Sequence, residues 1–149
     1  MDLSSVVEAL NDDGRELEIR FKACLANARE FLDAERGCLM ITRSGRETLM
    51  YDGDEDLNLK FPFSRNVVGQ AMIGRTGLVS FQSPEQMEGE GIASMKAHGV
   101  RAALCAPLLG PNEEDYGVIY FDTRIGKSFD KDQLETVLQL ARAIGTLLA

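Results

Sequence analysis

Val100-Arg-Ala-Ala-Leu-Cys-Ala-Pro-Leu-Leu109, Gly110-Pro-Asn-Glu-Glu-Asp115 and Tyr116-Gly-Val-Ile-Tyr-Phe-Asp122 follow one another without a gap, and their reading decides the fold. The outer two are apolar runs of strand length, and the middle one holds the Gly, Pro, Asn and Asp that turns require. So short a connection joins antiparallel strands, because a parallel crossover needs a dozen residues or more. Side chains alternate along a strand, so Arg101, Ala103 and Cys105 share one face and Ala102, Leu104 and Ala106 the other. Beyond this hairpin, Asp130 is placed to cap a helix over residues 131–148.

Working back toward the N-terminus, Cys38-Leu-Met-Ile-Thr42, the turn Ser44-Gly-Arg-Glu47 and Thr48-Leu-Met-Tyr51 predict a second hairpin. Leu57 to Phe63 and Leu78-Val-Ser-Phe81 read as two further strands, and Asp52-Gly-Asp-Glu-Asp56 as an acidic loop. Ser64 can cap a short helix through Val67, Val68, Ala71, Met72 and Ile73. Gln82–Gly91 reads as a loop, and Ile92, Met95 and Lys96 begin another short helix that Gly99 ends. Leu17, Phe21, Cys24, Leu25, Ala28, Phe31 and Leu32 recur at helical spacing and predict an amphipathic helix over about residues 14–34. Residues 1–13 read as a helical stub or linker, and 14–149 as a single domain. Hairpins dominate, so the class is α+β, with a mainly antiparallel sheet and the long terminal helices on one face.

Composition narrows the function. The chain has 149 residues, 44% apolar and 27% charged, which is a globular balance. Its net charge of −8 and lack of basic runs argue against nucleic acid as a partner. The absence of a long apolar run argues against a membrane, and no signal peptide is recognisable, so a cytoplasmic location is expected. Three cysteines (Cys24, Cys38 and Cys105) and the single His98 cannot supply an ordinary zinc site, and no cofactor is identified. Asp52, Asp54 and Asp56 imitate the start of a calcium loop, but Leu57 and Phe63 occupy the positions that need Gly and Glu.

Arg36-Gly-Cys-Leu-Met-Ile41, Val67-Val-Gly-Gln-Ala71, Gly99–Leu108, Gly117-Val-Ile-Tyr-Phe-Asp122 and Phe129-Asp-Lys-Asp-Gln-Leu134, in this order and spacing, resemble the GAF family of small-molecule sensor domains. The resemblance covers about residues 15–149. It implies a central six-stranded antiparallel sheet, terminal helices on one face, and a ligand pocket on the other roofed by short helices and loops. It also implies a regulatory module of a larger signalling protein, with a kinase, nucleotide cyclase or transcriptional activator as effector.

Within that family, three ligand chemistries can be weighed against these residues. GAF-fold enzymes that reduce free methionine sulfoxide need an accessible thiolate and a resolving thiol in the pocket loops. The corresponding stretch here, Glu90–Arg101, has no cysteine, so a non-catalytic domain is expected and the reductase is the alternative. The cyclic-nucleotide-binding members share an Asn-Lys, Phe, Asp-Glu motif; Asp122-Thr123, Phe129 and Asp132-Gln133 stand in those places, which leaves it half present. A bilin needs an attachment Cys with a His beside it, and His98 stands alone, seven positions before Cys105. Phe81, Met95, Arg101, Ala103, Cys105 and Phe121 are the candidate pocket residues, under a roof of Val67–Met72 and Gln82–His98. Arg101 would clamp a carboxylate or phosphate, or else pair at the surface with Glu90 or Asp122. The apolar arc of the last helix spans about 180°, wider than one sheet covers. Val137, Leu140, Ile144 and Leu147 are therefore the expected interface of a homodimer, and a domain that only dimerises is a further alternative.

Overall fold

The computed structural model describes residues 7–11, 14–53, 79–81, 102–123 and 129–149, with 79–81 and 102–103 given by their backbone. Helix α1, Leu17–Leu32, buries Phe21, Cys24, Leu25, Ala28 and Leu32, the apolar stripe of its sequence. It stops at Asp33, whose left-handed backbone (φ 54°) lets its N–H return to the carbonyls of Arg29 and Glu30. Ahead of it, the short helical turn Ala9–Asn11 places Leu10 in the core, and the Leu10 carbonyl accepts from Nε of Arg20 at 2.8 Å.

Strands β1, Arg36–Arg43, and β2, Arg46–Gly53, form the predicted hairpin. Its tip, Ser44-Gly45, has positive φ at both residues (52° and 77°), the twist that a two-residue turn between right-twisted strands needs. Strand β3 is Val79–Phe81, β4 is Ala102–Leu109 and β5 is Asp115–Thr123. The β4–β5 register slips between Pro107 and Leu109, where proline cannot donate to the ladder. Helix α2, Lys131–Leu148, opens with a reciprocal cap: the Asp130 carboxylate accepts from the Gln133 N–H, and the Gln133 side chain accepts from the Asp130 N–H, each at 2.8 Å.

The described strands form one antiparallel sheet in the order β2-β1-β5-β4-β3. Six strands were expected and five are present among the described residues; the run Leu57–Phe63 lies outside them, as do the short helix after Ser64 and the one beginning at Ile92. One face of the sheet is covered by both helices. Leu39, Ile41, Leu104, Ala106, Leu108, Ile119 and Phe121 meet Leu25 and Ala28 of α1 and Val137, Leu140 and Ile144 of α2 in a single apolar core. At two points glycine permits the approach. A Cβ on Gly37 would lie 3.0 Å from the Phe121 ring, and one on Gly145 would collide with the Leu109 backbone.

This packing corrects the expected dimer interface. Val137, Leu140 and Ile144 are buried within one chain at 1%, 0% and 1% exposure, and Leu147 alone of the four is partly open. The wide arc of α2 is absorbed because the helix packs on β4 and β5 and also touches α1. Among the described residues, no helix is long and apolar enough to cross a membrane.

Candidate functional site

The alternation that fills the helix face assigns Arg36 and Cys38 of β1, Cys105 of β4, and Tyr120 and Asp122 of β5 to the opposite face. Across the strands these residues fall into rows. Cys38 lies opposite Tyr120, which lies opposite Cys105, which lies opposite Val79. In the next row Arg36 lies opposite Asp122, Asp122 opposite Ala103, and Ala103 opposite Phe81.

Arg36 and Asp122 are 1% and 0% exposed, and they meet as a fork on a carboxylate. Nε of Arg36 donates to Oδ1 of Asp122 at 2.7 Å, and Nη2 pairs with Oδ2. The Tyr120 hydroxyl donates to the same Oδ2 at 2.9 Å. A buried charge is tolerable only when it is paired and hydrogen-bonded, and this carboxylate has a guanidinium and a phenol on it. Burial works against the Arg36 charge, but the hydrogen bond and charge of Asp122 outweigh it and raise the guanidinium pKa. Burial pushes the Asp122 carboxyl up, and Arg36 and the Tyr120 hydroxyl pull it back. The Tyr120 phenol is held well above its ordinary range by burial and by the charge of Asp122.

The cluster is tied to the end of α1. The Glu35 N–H donates to the Asp122 carbonyl at 3.0 Å, and the Thr123 hydroxyl donates to the Glu35 carboxylate at 3.0 Å. Arg29, in the last turn of α1, donates to the Ala34 carbonyl at 3.1 Å and forms an ion pair with Asp52 of β2. The side-chain amide of Gln133, part of the α2 cap, donates to the Leu32 carbonyl at 3.4 Å.

None of the thiols has the character of a nucleophile. Cys24, Cys38 and Cys105 are all buried and unpaired by disulfides. Burial pushes Cys24 up to about 12 and raises Cys38 and Cys105 as well, so the thiolate is suppressed at neutral pH. The face opposite the helices thus forms a buried floor of two thiols, a phenol and an ion pair.

Of the residues predicted for the pocket, Cys105 lies in this floor, and the backbone of Phe81 and Ala103 runs beside it in register with Asp122. Met95, Arg101 and the roof lie outside the described residues. Phe121 does not belong with them: it stands opposite Leu104, on the helix face, with its ring against Gly37. The reason is parity, since Phe121 is one residue from Tyr120 and a strand turns successive side chains to opposite faces. Asp122, considered as a partner for Arg101 or as a remnant of the nucleotide motif, is engaged by Arg36. Phe129 of that motif is a core side chain at 2% exposure, and Asp132 is exposed in the first turn of α2. The Arg36–Asp122–Tyr120 trio was not anticipated. Its available signal was an arginine heading the apolar run Gly37–Ile41 and an aspartate closing the run Val118–Phe121, 86 residues apart.

The family model described as the GAF domain matches residues 16–148. Among solved structures, the phycoerythrobilin-bound GAF domain of a cyanobacterial phytochrome is similar over 100% of this chain and 95% of its own, with TM-score 0.77 and 17% identity. The GAF domain region of a putative membrane protein from Geobacter sulfurreducens is similar over 95% and 96%, with TM-score 0.71 and 15% identity. A domain of a putative two-component sensor histidine kinase protein from Sinorhizobium meliloti is similar over 90% and 91%, with TM-score 0.64 and 15% identity. No curated protein matches the chain.

Proposed function

The chain belongs to the GAF domain family, and from that premise we propose that it is the sensory module of a signalling protein, taking a small ligand on the sheet face opposite the two helices. The observation that carries this reading is the unequal make-up of the two faces. The helix face is filled by Leu, Ile and Phe side chains, whereas the other rows Cys105 and Ala103 beside Tyr120 and the neutralised Arg36–Asp122 pair. Small side chains leave room above a strand, and satisfied polar groups give a ligand a few fixed points in a mostly apolar setting. Phe81, Met95 and Arg101 complete the proposed pocket, with Arg101 as the anion clamp at its rim. The effector would be a kinase, nucleotide cyclase or transcriptional activator attached to the module, which itself performs no chemistry. Fold similarity at this level of identity supports the sensory class and leaves the ligand to the site.

The test is a thermal-shift panel of nucleotides, dicarboxylates, haem and linear tetrapyrroles, each run against the chain and against Arg101→Gln. A ligand present at about 100 times its Kd stabilises the folded state by about 2.7 kcal/mol. The expected result is one such compound, weakened by at least tenfold in Arg101→Gln while the unliganded midpoint stays put. Thiol-dependent turnover of free methionine sulfoxide, abolished by a single Cys→Ser change, would overturn the reading in favour of the reductase.

A further inference from the structure

We infer that the tip of the β1–β2 hairpin is a docking surface for a helical protein segment carrying two carboxylates one turn apart, with Arg43 and Arg46 as its paired anchors. The tip projects from the sheet. β1 pairs with β5 only as far as Ile41, opposite Gly117, and every residue from Thr42 to Leu49 is exposed. Arg43 and Arg46 stand directly opposite each other across the Ser44-Gly45 turn, so both side chains leave the same face. By the alternation along β1 that face is the one of Leu39 and Ile41, the helix side, away from the face proposed for the ligand. Like charges set directly opposite destabilise a strand pair, and here nothing offsets them. Glu47, the nearest carboxylate in sequence, stands opposite Thr42 on the other face. Arg20 holds the Leu10 carbonyl, and Arg29, Arg36 and Arg142 hold Asp52, Asp122 and Glu113. Among the described residues, the Arg43 and Arg46 side chains hold no carboxylate or carbonyl.

Two guanidinium groups at a fixed spacing, with no counter-charge, fit an anion brought by another molecule. The charge of the whole chain selects its kind. A net −8 repels an extended polyanion such as nucleic acid or an acidic bilayer, whereas a short acidic segment meets the tip alone. Spacing narrows it further. The pair that closes a two-residue turn is hydrogen-bonded, with Cα atoms about 5.5 Å apart. Side chains three or four positions apart on a helix lie about 5–6 Å apart, so each guanidinium meets one carboxylate and grips it as a fork. Two glutamates so placed repel each other as the arginines do, and contact relieves both pairs at once.

The test titrates the chain with two synthetic alanine-rich helical peptides and follows its backbone amide resonances. One peptide carries two glutamates four positions apart, on one helix face; the other carries them two positions apart, on different faces. The first is expected to shift the amides of residues 42–48 and to bind more tightly than the second. Arg43→Thr and Arg46→Thr should each weaken that binding about fivefold, the upper range for one exposed ion pair, and added salt should weaken it in the parent. Each variant should also melt about 1–2 °C higher than the parent without peptide, because the like-charge opposition is gone. Equal affinity for the two peptides would mean that charge is read without spacing. No shift at residues 42–48, or a lower melting midpoint in both variants, would mean that the arginines serve the fold and not a partner. Tighter binding of a DNA duplex or of phosphatidylserine vesicles through the same arginines would assign another class of partner. Any of these results overturns the inference.

Discussion

On its helix side the sheet is closed by aliphatic and aromatic side chains, and on its other side the same strands present two thiols, a phenol and an ion pair. Both sides are buried, yet they answer differently to change. The helix side depends on volume and close approach, as at Gly37 and Gly145, so its energy is spread over many small contacts. The other side depends on pairing, so its energy is concentrated in a few groups that cannot lose a partner cheaply. One face thereby holds the molecule together through packing, and the other through a few paired groups.

The sharpest way to break the contrast is to charge the helix side. Leu140→Glu places a carboxylate at a position with 0% exposure and no partner. Loss of the cooperative transition in circular dichroism is expected, an effect of at least about 4 kcal/mol. A folded variant that merely changed its association state would return Leu140 to an intermolecular surface.

On the other face, half of the ion pair is worse than none. Asp122→Asn, which leaves Arg36 facing an amide, should cost about 3–5 kcal/mol in urea unfolding, and the double change Arg36→Met with Asp122→Leu should recover much of that. A double variant as weak as the single one would show that the pair stabilises the fold beyond its own neutralisation.

Alkaline pH touches both faces at once. The Cys24 thiol has an ordinary pKa of 9.0 and is pushed up to about 12 in the folded protein. Above pH 9 the unfolded chain releases that proton and the folded chain keeps it, so the stability present below pH 9 is lost as pH rises through about 12. Each such thiol steepens the fall by up to about 1.4 kcal/mol per pH unit, and Cys24→Ala should flatten it by one proton's worth. Unfolding midpoints measured from pH 8 to 11 decide the matter; a parent and variant with equal slopes would refute the burial of this thiol.

The smallest effect is expected away from both faces. Arg142 and Glu113 pair at 2.9 Å, with each side chain half exposed. Arg142→Ala should shift stability by less than about 1 kcal/mol and should lose even that at high salt. A larger loss would mean that the Arg142 contact to the Gly110 carbonyl, at 3.4 Å, anchors the β4–β5 turn.

Much of this architecture was legible one segment at a time. The cap at Asp130, the Ser44-Gly45 turn and the buried stripe of α1 follow from spacing and residue type within a dozen positions. What misled was the apolar arc of α2. A wheel shows how wide an apolar surface is, and it does not show that α1 lies alongside to share it, so Leu140 was read as a surface for a second copy. Phe121 was misplaced for a related reason, because residue type alone does not fix parity.

The sequence by itself determined the elements, their hairpin connections and the membership of the family, since these depend on local periodicity, turn chemistry and the order of short motifs. Only the tertiary structure decided which residues meet: that β1 lies between β2 and β5, that Arg36 therefore stands across from Asp122, and that Tyr120 points with them while Phe121 points away. The physical reason is register. A slip of one residue in the pairing of β1 with β5 would send every side chain to the other face, and that choice is made by the fit of two distant strands into one core, not by either strand alone.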